Sequence, residues 1–168
     1  MSIDFFIPKC KNSLNDKLFG LCDNPPPSES PAYTDINNKS MWIAKVKNNN
    51  EYNIEFVAID KCIKLLKSNG HQDSSCDAML KYKNNIIFIE LKECNDNKNK
   101  WIRKADSQLR NTILHFNKNH IIANYTKTTA YISNNQHPNF RSSQKERMEK
   151  FKDDMNVRLK IMATIELD

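Results

Sequence analysis

The stretch Ser74–Glu93, SSCDAMLKYKNNIIFIELKE, constrains this chain most. Two apolar, β-branched or aromatic runs flank Asn84-Asn85, a dipeptide suited to a tight turn, so the stretch predicts a hairpin with strands over 76–83 and 86–92. A two-residue turn at Asn84-Asn85 would pair Lys83 with Ile86, Lys81 with Phe88, Met79 with Glu90 and Asp77 with Lys92. Side chains alternate along a strand, and directly opposed residues share a face. Asp77, Glu90 and Lys92 then project from one face at one end, while Ile87, Ile89 and Leu91 fill the other. In this register Asp77 and Glu90 are diagonal neighbours with Cα atoms roughly 7–8 Å apart. Two carboxylates at that distance repel by roughly 2 kcal/mol at an effective dielectric of about 20. A structural sheet gains nothing from this, unless Asp77 and Lys92 form a cross-strand salt bridge and Glu90 lies exposed. A divalent cation reverses the sign, because two carboxylates with carbonyls and waters make a hard-oxygen site.

The rest of the chain reads as mixed α/β. Ile54, Phe56 and Ala58 alternate, predicting a strand over 53–60. Ile102, Ala105, Leu109, Ile113 and Phe116 recur at helical spacing, predicting a helix over 100–117. A strand near 127–133, a helix over 143–156 and a final strand through VRLKIMATIEL follow. The proline- and serine-rich stretch Cys22–Asp35 reads as a loop. It divides an N-terminal segment, residues 1–35 with that loop, from a main domain, 36–168. Only Gly20 and Gly70 are glycines, which excludes a glycine-rich phosphate loop and leaves asparagine as the expected turn former.

Composition narrows the class. The net charge of +6 suits an anionic partner or a solvated basic surface equally. No run is long and apolar enough for a membrane span, and the N-terminus lacks the pattern of a secretory signal. The five cysteines are odd in number and form no C-x-x-C pair, so reduced, buried thiols in the cytoplasm are expected rather than a disulfide framework or a zinc site. Basic residues surround the carboxylates in the sequence reading: Lys81 and Lys83 on the hairpin, and Lys100, Arg103, Lys104 and Arg110 on the following helix. Arg103 and Arg110 are two turns apart and share a face, as a phosphate track or as a solvated helix face. Trp42 and Trp101 could stack on bases but read rather as core or rim packing residues, and His115 and His120 have no partner acid at a telling spacing.

CDAMLKYKNNIIFIELK resembles the PD-(D/E)xK nuclease superfamily, whose motif is an Asp on one strand and Glu-x-Lys at the end of the next. Asp77, Glu90 and Lys92 match it; Cys76 stands where proline is usual. The resemblance spans roughly residues 53–134. It implies a restriction-endonuclease-like fold, a central mixed sheet flanked by helices. It also implies Mg²⁺ or Mn²⁺ held by Asp77 and Glu90, and a lysine serving the attacking water. KADSQLRNTI is similar to the family's following helix, making Gln108 the residue that points back to the site. A further acid, as the family often adds, would be Glu51, Glu55 or Asp60. The implied activity is phosphodiester hydrolysis, with DNA favoured over RNA, by a homodimer or within a larger assembly. The alternative is a non-cutting binding or assembly subunit on the same fold. Restriction, phage defence, repair and mobile-element roles are all compatible.

Overall fold

In the computed structural model, which describes residues 2–94, 99–137 and 144–168, the hairpin forms the middle of a six-stranded mixed sheet. The strands are β1 (Lys11–Leu14), β2 (Leu18–Cys22), β3 (Tyr33–Asp35), β4 (Ala44–Lys47), β5 (Ile54–Ala58), β6 (Ala78–Tyr82), β7 (Asn85–Lys92), β8 (Lys127–Asn134), β9 (Arg158–Ile161) and β10 (Thr164–Glu166). The helices are α1 (Lys100–His120), between β7 and β8, and α2 (Lys145–Met155), between β8 and β9. The large sheet has the order β1-β5-β6-β7-β8-β9 and a smaller one β10-β4-β2-β3. In the large sheet β1, β5, β6 and β7 are antiparallel neighbours. β7, β8 and β9 run parallel, because each helix carries the chain back before the next strand begins.

Burial explains the layers. β7 is buried on both faces along nearly its whole length, as a central strand must be. One face of the large sheet packs on the helices through Phe88, Ile102, Leu109, Phe116, Ile132 and Phe151. The apolar stripe of α1 read from the sequence is the one buried here. The opposite face packs on the smaller sheet through Phe19, Val46, Phe56, Leu80, Ile89 and Ile165. Both helices therefore cover one face and a second sheet covers the other, where helices around the sheet were expected. Gly20 of β2 lets the indole of Trp42 lie against the backbone; a Cβ there would come within 2.0 Å of the ring. Trp42 is thus a packing residue, and its Nε1 donates to Asp35 Oδ2 at 2.6 Å.

Several expectations need correction. Residues 1–35 do not stand apart: β1 pairs with β5, and β2 and β3 belong to the second sheet. The apolar side chains of Phe19 and Leu21 need a buried face, and β4 and β10 supply one. The last strand is two strands. Met162 donates to Ile132 O in one sheet, Lys45 donates to Ala163 O in the other, and the chain crosses between them. Cys10 and Cys62 form a disulfide, joining the turn before β1 to the loop after β5, where free thiols were expected; Cys22, Cys76 and Cys94 are free.

The hairpin turn is Lys83-Asn84, one residue earlier than expected, so Met79 pairs with Phe88, Lys81 with Ile86 and Tyr82 with Asn85. Tertiary contacts decide this. Asn84 Nδ2 donates to Asn124 O and Thr126 Oγ1, its carbonyl accepts from Thr126 N, and Asn85 is taken into the ladder with Lys127 of β8. Among the described residues asparagine takes only one of the five non-glycine left-handed positions, Asn156; the others are Glu51, Lys61, Lys83 and Ile121. Asn48 organises its loop with its side chain, donating to Tyr52 O and accepting from Tyr52 N. No helix among the described residues is long and apolar enough to cross a membrane.

Candidate active site

The corrected register keeps the expected face and tightens the pair. Ala78 lies opposite Ile89, and one step further sets Asp77 directly opposite Glu90 rather than diagonal to it. Glu90 is 1% exposed and Asp77 6%, inside strands that are otherwise apolar. Asp77 Oδ2 accepts a hydrogen bond from the Leu91 amide at 2.6 Å. Burial still pushes its carboxyl up to about 7, with Asp23 and Asp60 acting in the same direction and Lys92 against. Burial, and then Asp77, hold Glu90 well above the ordinary carboxylate range.

Lys92 completes the group, but its ion pair is with Glu90 Oε1 at 2.6 Å, not the cross-strand bridge to Asp77 that the sequence offered as a structural alternative. Gln108 Oε1 accepts from Lys92 Nζ at 3.1 Å, while Gln108 Nε2 donates to the Ser75 carbonyl at 3.0 Å. With both ends of its amide engaged, Gln108 fixes the ammonium over Glu90. Thr112, one turn further along α1, accepts from the Cys76 amide at 2.8 Å and locks the start of β6 to the helix. Cys76 itself is fully buried, and burial raises its thiol far above the reactive range.

One atom stands out. Glu90 Oε2 is buried and has no hydrogen-bond partner among the described residues. A buried carboxylate oxygen left open carries the full desolvation penalty, and such groups call for an explanation. The chemistry of the donor set, hard oxygen from two carboxylates, fits a divalent cation such as Mg²⁺ or Mn²⁺. Among the described residues no group of three or more His, Cys, Asp or Glu side chains is preassembled for a metal. A cation held here would draw its remaining ligands from water, backbone or substrate, as Mg²⁺ commonly does.

Of the candidate extra acids, Asp60 is at the site. It follows β5, its amide donates to Cys76 O at 3.2 Å, and its Oδ1 accepts from Ser75 Oγ at 3.2 Å. Glu55 is engaged by Lys11 and Lys81, and Glu51 by Lys17, away from the carboxylate pair. Two residues were missed. Asp23, in the proline-rich loop, is raised by burial and feels Lys61, Asp60 and Lys92. Lys61 forms an ion pair with Asp23 at 3.8 Å. Lys61 adjoins Asp60 at the end of a strand, which was a usable signal; nothing local marks Asp23.

The basic residues separate. Lys100, Arg103 and Lys104 are exposed on the first turns of α1, with Lys104 one turn before Gln108. Arg110 is engaged by other side chains rather than left on a solvated face. It binds Asp106, reaches Asp154 of α2 at 2.8 Å and stacks on Phe151. Lys81 and Lys83 lie toward the turn, up to roughly 20 Å of strand from Asp77. There Lys81 pairs with Glu55, and Lys83 Nζ donates to Tyr52 Oη at 2.9 Å. His115 does have an acid partner, supplied by the fold: its Nε2 is 3.1 Å from Asp73 Oδ2. His120 accepts from the Phe5 amide and stacks on Phe116. Trp101 is buried and stacks on His137.

Comparison of the chain with protein-family models, curated proteins and solved structures finds no match, so the functional reading rests on this geometry and on the motif.

Proposed function

We propose that the chain is a metal-dependent nuclease of the PD-(D/E)xK type on a restriction-endonuclease-like fold, hydrolysing phosphodiester bonds, in DNA in preference to RNA. The observation that carries this is Glu90, a carboxylate 1% exposed in a central strand, with one oxygen on Lys92 and the other open beside Asp77. A merely structural acid at this position would close both oxygens.

Asp77 and Glu90 would hold Mg²⁺ or Mn²⁺, which supplies Lewis-acid polarisation of the phosphate and neutralises charge on it. Lys92, 17% exposed and held by Gln108, presents N–H donors at the edge of the carboxylates. It would orient the attacking water and stabilise negative charge building up on the phosphate. Gln108 acts through Lys92 as a positioning residue. Lys100, Arg103 and Lys104 offer a short cationic approach for the strand. A nucleic-acid substrate suits a cytoplasmic location; the Cys10–Cys62 bond weighs the other way, since cytosolic thiols are generally kept reduced. Action as a homodimer or with a partner protein belongs to the same reading.

The test is nicking of supercoiled plasmid with Mg²⁺ or Mn²⁺ against EDTA, for the parent and Glu90→Gln. Metal-dependent nicking by the parent alone supports the reading. Binding without nicking under any metal would leave the non-catalytic assembly subunit.

A further inference from the structure

The site faces a problem of charge. Asp23 and Asp60 act on Asp77, and Asp60 and Asp77 act on Glu90, so a phosphodiester approaching this end of the sheet is repelled. Lys92 is committed to Glu90 and Gln108. Among the described residues a further ammonium, that of Lys61, lies beside Asp23.

Three features distinguish Lys61 from a surface lysine. Its backbone is left-handed, φ 62°, a conformation that costs a lysine energy and that marks places where structure is held against local preference. The residue as a whole is exposed, yet its side chain is only 24% exposed, because the ammonium is laid inward over Asp23. At 3.8 Å the Lys61–Asp23 pair is too long for a hydrogen bond, whereas Lys92–Glu90 is 2.6 Å. Lys61 is thus near the acids without being closed upon them. The loop that carries it is anchored on both sides: the Ile59 amide donates to Asp77 O, and Cys62 is tied to Cys10. The open, buried Glu90 Oε2 independently indicates that this end of the sheet takes a ligand.

We propose that Lys61 is a second phosphate-binding cation of the site, held in place by Asp23 and released to the non-bridging oxygens of a nucleic-acid strand next to the bond being cut. The proposal rests on the nuclease reading and adds to it a substrate contact from the loop after β5 and a positioning acid from the proline-rich loop.

Lys61→Asn tests it. Asparagine removes the ammonium but tolerates left-handed backbone better than lysine, so loss of function cannot be assigned to a strained fold. Steady-state cleavage of a labelled DNA duplex with Mg²⁺ should show KM raised about tenfold, with kcat nearly unchanged. Fluorescence anisotropy of the same duplex in EDTA at several salt concentrations should show the log–log salt slope reduced by about 0.9. Lys61→Arg should restore both. Unchanged KM and slope in Lys61→Asn would overturn the proposal and return Lys61–Asp23 to a structural ion pair. If the parent binds DNA but never cuts, the nuclease reading fails while the anisotropy still decides Lys61. If the parent neither binds nor cuts, both fail.

Discussion

Two buried acids on neighbouring elements are treated in opposite ways. Asp106 of α1 is 6% exposed and closed by two guanidiniums: Arg110 takes Oδ1, and Arg147 Nη1 of α2 takes Oδ2 at 3.0 Å. Arg110 continues to Asp154, so the group clamps the two helices together. Glu90 is more deeply buried, yet it has one ammonium, a second carboxylate directly opposite, and an oxygen with no partner. A charge that serves stability is paired to completion, since an unmatched one costs several kcal/mol. A charge left open is tolerated where something else is to bind. The difference separates a clamp from a candidate site without reference to any motif.

The comparison breaks most readily on catalysis. Asp77→Asn or Glu90→Gln should lower metal-dependent cleavage on the order of a thousandfold, about 4 kcal/mol of barrier, while the metal-free protein becomes no less stable in urea. Asp106→Asn should do the reverse. It should cost about 2–3 kcal/mol of stability, less than a fully buried pair because both guanidiniums still reach solvent, and cleavage per folded molecule should hold. A Glu90 variant that loses stability as Asp106→Asn does, with activity intact, would make both acids structural.

A pH series sharpens the same contrast. Asp77 is raised from 3.8 to about 7 in the folded chain. The native state therefore keeps a proton that the unfolded chain has released, and metal-free stability should fall as pH rises from about 4 through about 7, with Glu90, also raised, acting in the same direction. Asp77→Asn should flatten part of that slope, measured by urea midpoints, and Mg²⁺ should restore stability at pH 8. A stability that rises over this interval would show Asp77 to be satisfied without a cation.

The smallest effects divide residues that the sequence grouped together. Lys92→Ala should lower the cleavage rate heavily and leave DNA affinity nearly unchanged, because its ammonium is already engaged by Glu90 and Gln108. Arg103→Ala should reduce the salt slope of DNA binding by about 0.9 and leave the melting temperature in place. Arg110→Ala should leave the slope and lower the melting temperature. Equal slopes for the two arginine variants would restore them to one face with one role.

The hairpin, the α1 stripe and the carboxylate face were legible because each depends on periodicity, which short-range sterics and burial impose on any chain. A two-residue slip in pairing preserves that periodicity, so the face survived a wrong turn assignment, while the partner of Asp77 did not. Gln108 was legible for the same reason, lying on the helix after the strand that ends in Lys92. The second sheet was not, because β2, β3, β4 and β10 are short, and their pairing is decided by which apolar faces remain to be covered once the large sheet and helices have packed. The sequence by itself determined that two acids and a lysine share one face of a buried hairpin. Only the tertiary structure decided that Asp106 is closed and Glu90 open, that His115 meets Asp73, and that Asp23 pairs with Lys61. Those outcomes depend on contacts between residues distant in the chain, and local preference carries no information about them.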